Sequence, residues 1–199
     1  MTTATLSETK RIAEPHTCPR WVGYLLASPL RRLFDNPRKL LGPHVRSGDT
    51  VIDLGCAMGF FSLPLAKMVG PAGRVVCVDS QDYMLGPLCR KIRRRGLEGI
   101  METRLCSDTS LQLEDLAGQA DLAVAWHVVH EVPNRAAFFR EAFEALRPGG
   151  RMLLSEPNGH VCEEDFRSEI ALAKAAGFQV RSTRRDRRTS MAVLEKPTW

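Results

Sequence analysis

The chain has 199 residues, 44% of them hydrophobic, which is enough for one well-buried core and too little for two sizeable domains. Its net charge of +5 raises the question of a nucleic-acid partner without settling it. No apolar run approaches the roughly 18 residues of a membrane span, and the start Met1-Thr2-Thr3-Ala4-Thr5 has no basic leader, so a cytoplasmic protein without a membrane partner is expected. Six cysteines without a C-x-x-C pair argue against a zinc site or a disulfide framework.

In chain order, residues 1–45 are proline-rich and carry Trp21 and Tyr24 in the apolar stretch Trp21-Val22-Gly23-Tyr24-Leu25-Leu26. They are read as a short helical lid or arm, with 46–199 as the core domain. From Arg46 onward strand and helix signals alternate, the pattern of a sheet covered on both faces. Strands are predicted near 51–55, 74–79, 100–105, 121–127, 150–156, 177–183 and 189–195, and helices near 59–69, 83–95, 134–146 and 163–176. The fold class is therefore α/β, a Rossmann-like, mostly parallel seven-stranded sheet with helices on both faces and an antiparallel last strand.

The first strand runs into Asp53-Leu54-Gly55-Cys56-Ala57-Met58-Gly59. The small residues Gly55, Ala57 and Gly59 let backbone approach a ligand where a side chain would collide. A dinucleotide fingerprint, G-x-G-x-x-G, fits poorly, because counting from Gly55 its later positions hold Ala57 and Phe60. That disfavours an NAD-dependent oxidoreductase. The second strand ends at Asp79, 24 residues beyond Gly55, where a ribose-binding carboxylate is expected. Ser80, Gln81 and the apolar Met84 follow. After the third strand come Cys106-Ser107-Asp108, of which Ser107 and Asp108 are hydrogen-bond acceptors.

Asp53-x-Gly55-x-Ala57-x-Gly59 resembles the first motif of class I S-adenosylmethionine-dependent methyltransferases, with Ala57 in place of the middle glycine. Ala120 to His127 is similar to that family's fourth strand, and Leu146-Arg147-Pro148-Gly149-Gly150 to its turn into the fifth. The resemblance covers about three quarters of the chain. It implies S-adenosylmethionine as cofactor, held by Asp53, Gly55, Cys56, Ala57, Gly59, Asp79, Ser80, Met84, Ser107, Asp108 and Trp126. An acid suits a ligand whose methionine end carries an ammonium and a sulfonium.

Methyl transfer needs positioning and exclusion of water, and a base only for some acceptors. Ligands in open α/β sheets bind at the C-terminal strand ends, where Trp126-His127-Val128-Val129-His130-Glu131 follows the fourth strand. His127 is the first choice for orienting or deprotonating an acceptor, with His130 and Glu131 as further candidates. Each has a plain alternative: a histidine bonding loop backbone, or an acid opening a helix. Beyond the fifth strand, Glu156 and His160 are expected to face the same cleft and, with Trp21 and Tyr24, to bind the substrate. These groups lack the H-E-x-x-H spacing of a zinc protease, so no metal is expected. Cys18 suggests arsenite, a soft acceptor methylated by relatives with this core, but no companion thiol is evident.

The expected activity is methyl transfer to a small-molecule acceptor by a monomer or homodimer. No N-P-P-Y-like segment, typical of amino methylation, follows the fourth strand. An RNA or protein methyltransferase is the alternative, motivated by the basic runs Arg90 to Arg95 and Arg181 to Arg188; nucleic acid is not favoured, since neither run has interleaved aromatics. A non-catalytic S-adenosylmethionine-binding subunit is a further reading.

Overall fold

The computed structural model describes residues 35–198; Trp21, Tyr24 and Cys18 lie outside this range. Asn36 caps a short helix α1 (Pro37–Leu41), accepting from the Arg38 and Lys39 amides, with Pro37 at the first turn where its missing N–H costs nothing. The elements that follow are β1 (Thr50–Leu54), α2 (Ser62–Val69), β2 (Arg74–Asp79), α3 (Asp82–Arg93), β3 (Met101–Leu105) and β4 (Ala120–Trp126). The chain ends with α4 (Arg135–Ala145), β5 (Leu146–Pro157), α5 (Glu163–Ala175), β6 (Gln179–Arg185) and β7 (Thr189–Glu195).

The seven strands form one sheet in the order β3-β2-β1-β4-β5-β7-β6. All pairings from β3 to β5 are parallel, and β7 runs antiparallel to both β5 and β6. The order reverses between β1 and β4, which opens a crevice beyond their C-terminal ends.

Alternation along each strand divides the core in two. Val51, Val75, Cys77, Leu122, Val124 and Leu153 pack with α2 and α3, and Leu41 joins this cluster, so core packing reaches back to α1. Ile52, Leu54, Val76, Val78, Ala123, Ala125, Met152 and Leu154 pack on the opposite face with α4 and α5. Burial on both faces explains why the central strands read as unbroken apolar runs.

Two boundaries differ from expectation by three residues or more, the others by at most two. The helix after β1 starts at Ser62 rather than 59, because Gly55, Ala57 and Gly59 all have positive φ and hold residues 55–61 in a tight turn. The fifth strand begins at Leu146 rather than 150: Leu146 pairs with Ala120, and a register shift between Ala120 and Leu122 absorbs the Pro148-Gly149-Gly150 turn. A Cβ on Gly150 would lie 2.9 Å from the Ala120 carbonyl oxygen, so only glycine admits this approach.

Candidate active site

The crevice at the C-terminal ends of β1, β2 and β4 is a cleft of about 250 Å³. Its floor is the turn after β1. Gly55 has φ +73°, and a Cβ there would sit 2.5 Å from Val128 Cγ2. Gly59, at φ +84°, is outside the cleft lining and packs on α3, where a Cβ would strike Leu88 Cδ1 at 2.5 Å. Ala57 adopts the same left-handed region at φ 46°, a conformation alanine accepts only at a cost. Asp79 offsets that cost: its Oδ2 accepts the Ala57 N–H at 2.8 Å while Oδ1 accepts the Gln81 N–H at 2.9 Å. Burial pushes the Asp79 carboxyl up, against the pull of the Ala57, Gln81 and Ser80 amides. These amides leave acceptor capacity on the carboxylate for a ligand hydroxyl.

The expected cofactor residues fall into two groups. Gly55, Ala57, Asp79, Ser80, Met84, Ser107, Asp108 and Trp126 line the cleft. Asp53, Cys56 and Gly59 do not: Asp53 is 3% exposed and accepts from Ser62 Oγ at 2.5 Å, which ties β1 to the start of α2. Such a carboxylate acts on the turn, not from the cleft wall. Ser107 Oγ accepts from the Thr109 and Ser110 amides, so Asp108, exposed at the mouth, is the freer acceptor of the two.

Sequence reading missed Cys106, Val128 and Glu141 as lining residues. Glu141, on α4, accepts from the Leu111 amide at 2.7 Å and Ser110 Oγ at 3.2 Å, pinning the loop after β3 across the cleft. Burial and the Asp79 charge push the Cys106 thiol up to about 11, so it stays protonated near neutrality.

The other end of the cleft begins at His127, which lines it and turns the chain out of β4 at φ 60°, its N–H donating to the Ser155 carbonyl at 2.7 Å. Glu131 lines the cleft as well. His130 stands behind it, its Nδ1 2.5 Å from Glu156 Oε2 and its ring centroid 5.6 Å from that of the exposed His160. Glu156 departs from expectation. It is fully buried and binds the Val129 amide at 2.8 Å as well as His130, so it holds the turn after β4 from behind instead of facing an acceptor. His160 is likewise absent from the lining. Among the described residues no group of three or more His, Cys, Asp or Glu is placed to hold a metal ion, and no helix is long and apolar enough to cross a membrane.

A glycine-floored crevice at the β1/β4 reversal, with a carboxylate at the end of β2, defines a nucleotide-type site on a Rossmann-like sheet. Comparison with known proteins identifies which kind. A family profile described as a methyltransferase domain matches residues 45–191. A demethylmenaquinone methyltransferase of Lactobacillus johnsonii is 30% identical over 143 residues, covering 68% of this chain and 58% of that protein. An arsenite methyltransferase of Halobacterium salinarum is 31% identical over 109 residues, 55% of this chain and 27% of that protein. The chain thus spans less than two thirds of these curated relatives. The crystal structure of a SAM-dependent methyltransferase from Aquifex aeolicus superposes with a TM-score of 0.79 at 20% identity, covering 90% of this chain and 99% of that one. The chain belongs to the class I S-adenosylmethionine-dependent methyltransferase family, and the cofactor that goes with this family is S-adenosylmethionine.

Proposed function

We propose that this protein transfers a methyl group from S-adenosylmethionine to a small-molecule acceptor. The observation that carries this reading is the continuity of the cleft. One cavity of about 250 Å³ runs from Asp79 and Met84 to His127 and Glu131, joining a nucleoside-sized cradle to a pair of proton-accepting side chains. The cofactor supplies a methyl carbon activated by its sulfonium. Asp79 holds the ribose hydroxyls, Met84 and Val128 give apolar faces for the adenine, and Asp108 accepts from its amine. The Gly55 and Ala57 backbone approaches the methionine end beside Trp126. His127 orients the acceptor at the end of β4.

The charges of the lining support a small, non-anionic acceptor. Among the described lining residues Asp79, Asp108, Glu131 and Glu141 are acidic, and none is lysine or arginine. A polyanion such as RNA would meet repulsion there, although the chain as a whole is basic. The names of the two curated relatives, which point to a quinone precursor and to arsenite, also favour small acceptors. Transfer of radiolabel from S-adenosylmethionine to a panel of hydroquinones, phenols, amines, thiols and arsenite, with bulk RNA and protein in parallel, tests the reading. Labelling of one small acceptor is the expected result; labelling of RNA or protein alone overturns it.

A further inference from the structure

Behind the acceptor end lies a set of ionisable groups that cofactor binding does not use. Glu131 lines the cleft. Its Oε1 is 3.8 Å from His130 Nε2, a gap that one water or a rotation of this half-exposed carboxylate closes. On the other side of the ring, His130 Nδ1 meets Glu156 Oε2 at 2.5 Å. Glu156 accepts at Nδ1, so the neutral imidazole carries its proton there and presents the Nε2 lone pair toward Glu131. The surrounding charges come from every element packed here. They are Arg135 at the start of α4, Asp165 and Glu169 on α5, His160 in the loop after β5, and Asp79 across the cleft. Burial pulls the His130 imidazole down, and Glu156, Glu131 and Glu169 outweigh it, holding it above its ordinary value. Burial likewise pushes Glu131 up.

A pair serving only to hold the turn would not need this arrangement. The Val129 N–H occupies one Glu156 oxygen and would be satisfied as well by a neutral amide. Burying a carboxylate beside an imidazole costs desolvation that only close geometry and further hydrogen bonds repay, and here the 2.5 Å contact and the Val129 N–H supply them.

We propose that Glu131, His130 and Glu156 form a proton-accepting chain that drains the cleft. The idea rests on the methyltransferase reading and narrows it to acceptors with an O–H, N–H or activated C–H to lose. As the acceptor atom bonds to the methyl carbon, the carbon–sulfur electron pair stays on sulfur and the acceptor's proton passes to a Glu131 oxygen. From Glu131 the proton moves to His130 Nε2, and Glu156 balances the imidazolium until the product leaves and the proton returns through the half-exposed Glu131 to solvent. Glu131 is the catalytic residue of this chain; His130 relays, and Glu156 is a positioning residue.

Nitrogen-resolved NMR of the histidines in the full chain, with and without S-adenosylhomocysteine, reads the coupling directly. Neutral His130 is expected as the Nδ1–H tautomer. Glu131→Gln should lower its proton affinity roughly tenfold, as loss of a charge about 4 Å away in a half-buried site does. Glu156→Gln should erase the tautomer preference. With 1,4-naphthohydroquinone or benzylamine as acceptor, Glu131→Gln should lower kcat about 100-fold while S-adenosylhomocysteine affinity stays unchanged. A His130 titration that ignores Glu131→Gln, or wild-type kcat in that variant on a protic acceptor, overturns the proposal. Failure of wild-type protein to bind S-adenosylhomocysteine would strike the methyltransferase reading instead, and the NMR coupling in ligand-free protein would still decide the chain.

Discussion

Asp79→Asn separates the two tasks assigned to that carboxylate. The side chain keeps its size and loses its charge and one acceptor. Its oxygens accept the Ala57 N–H at 2.8 Å and the Gln81 N–H at 2.9 Å, and an amide has only one oxygen to offer. One N–H must therefore face an amide NH₂, at a cost of about 1–3 kcal/mol to the folded state. Ala57, held at φ 46° partly by this bond, is the residue to feel it. A ligand hydroxyl bonded to an ionised acceptor is worth about 1.5–3 kcal/mol, so losing one such bond weakens S-adenosylhomocysteine binding roughly 10- to 150-fold. Calorimetric titration measures the second effect and urea unfolding the first. Burial holds the Asp79 carboxyl above its ordinary range against the backbone amides, so wild-type affinity should begin to fall above that range as pH is lowered. The variant should lack this dependence. A folded Asp79→Asn protein that binds within threefold of wild type, with the same pH profile, would refute the ribose assignment.

Three further outcomes follow from packing and charge. Gly55→Ala places a Cβ 2.5 Å from Val128 Cγ2 at φ +73°, and left-handed strain of roughly 1–2 kcal/mol with overpacking of about 1–3 kcal/mol should show as a lower urea midpoint; an unchanged midpoint would count against the tight turn. Lys196 Nζ donates to the Phe143 and Leu146 carbonyls at 2.8 and 2.7 Å, closing the C-terminal end of α4, so Lys196→Met should cost about 1–3 kcal/mol by the same denaturation, and a cost below 0.5 kcal/mol would refute that role. Glu169 is fully buried, and burial with the Glu156 charge pushes it up to about 7 against the Arg135 attraction. A carboxyl raised in the folded state contributes stability that is complete below its ordinary 4.5 and is lost as pH rises through about 7. The span corresponds to about 3 kcal/mol, so unfolding free energy measured from pH 4.5 to 8 should fall less steeply in Glu169→Gln; parallel curves would contradict it.

What could be read from the sequence was local. The run Val51 to Gly59 announces a two-sided buried strand and a close-approach turn within nine residues, and Asp79 ends a second apolar strand at a spacing nucleotide folds share. Gly55, Ala57 and Asp79 accordingly stand together at one cleft. Contacts made across long separations were not legible. Glu156 sits at a strand end where cleft exposure is the simple expectation, yet its partners Val129 and His130 are 27 and 26 residues away, on a turn whose path no local pattern fixes. The Glu141 anchor for Leu111 spans 30 residues and has no sequence signature. Leu146 joined β5 because its pairing with Ala120 prevails over the local turn chemistry of Pro148-Gly149-Gly150. Asp53 and Gly59 stand in the same motif as Gly55 and Ala57 but outside the cleft lining, a distinction the motif does not carry.

The central claim is that the cleft beyond β1 and β4 binds S-adenosylmethionine. Isothermal titration of the purified, ligand-stripped protein with S-adenosylmethionine and S-adenosylhomocysteine tests it most directly, with NAD as the control. Saturable, one-to-one binding of both sulfur ligands and none of NAD is the predicted result; well-folded protein that binds neither would contradict it.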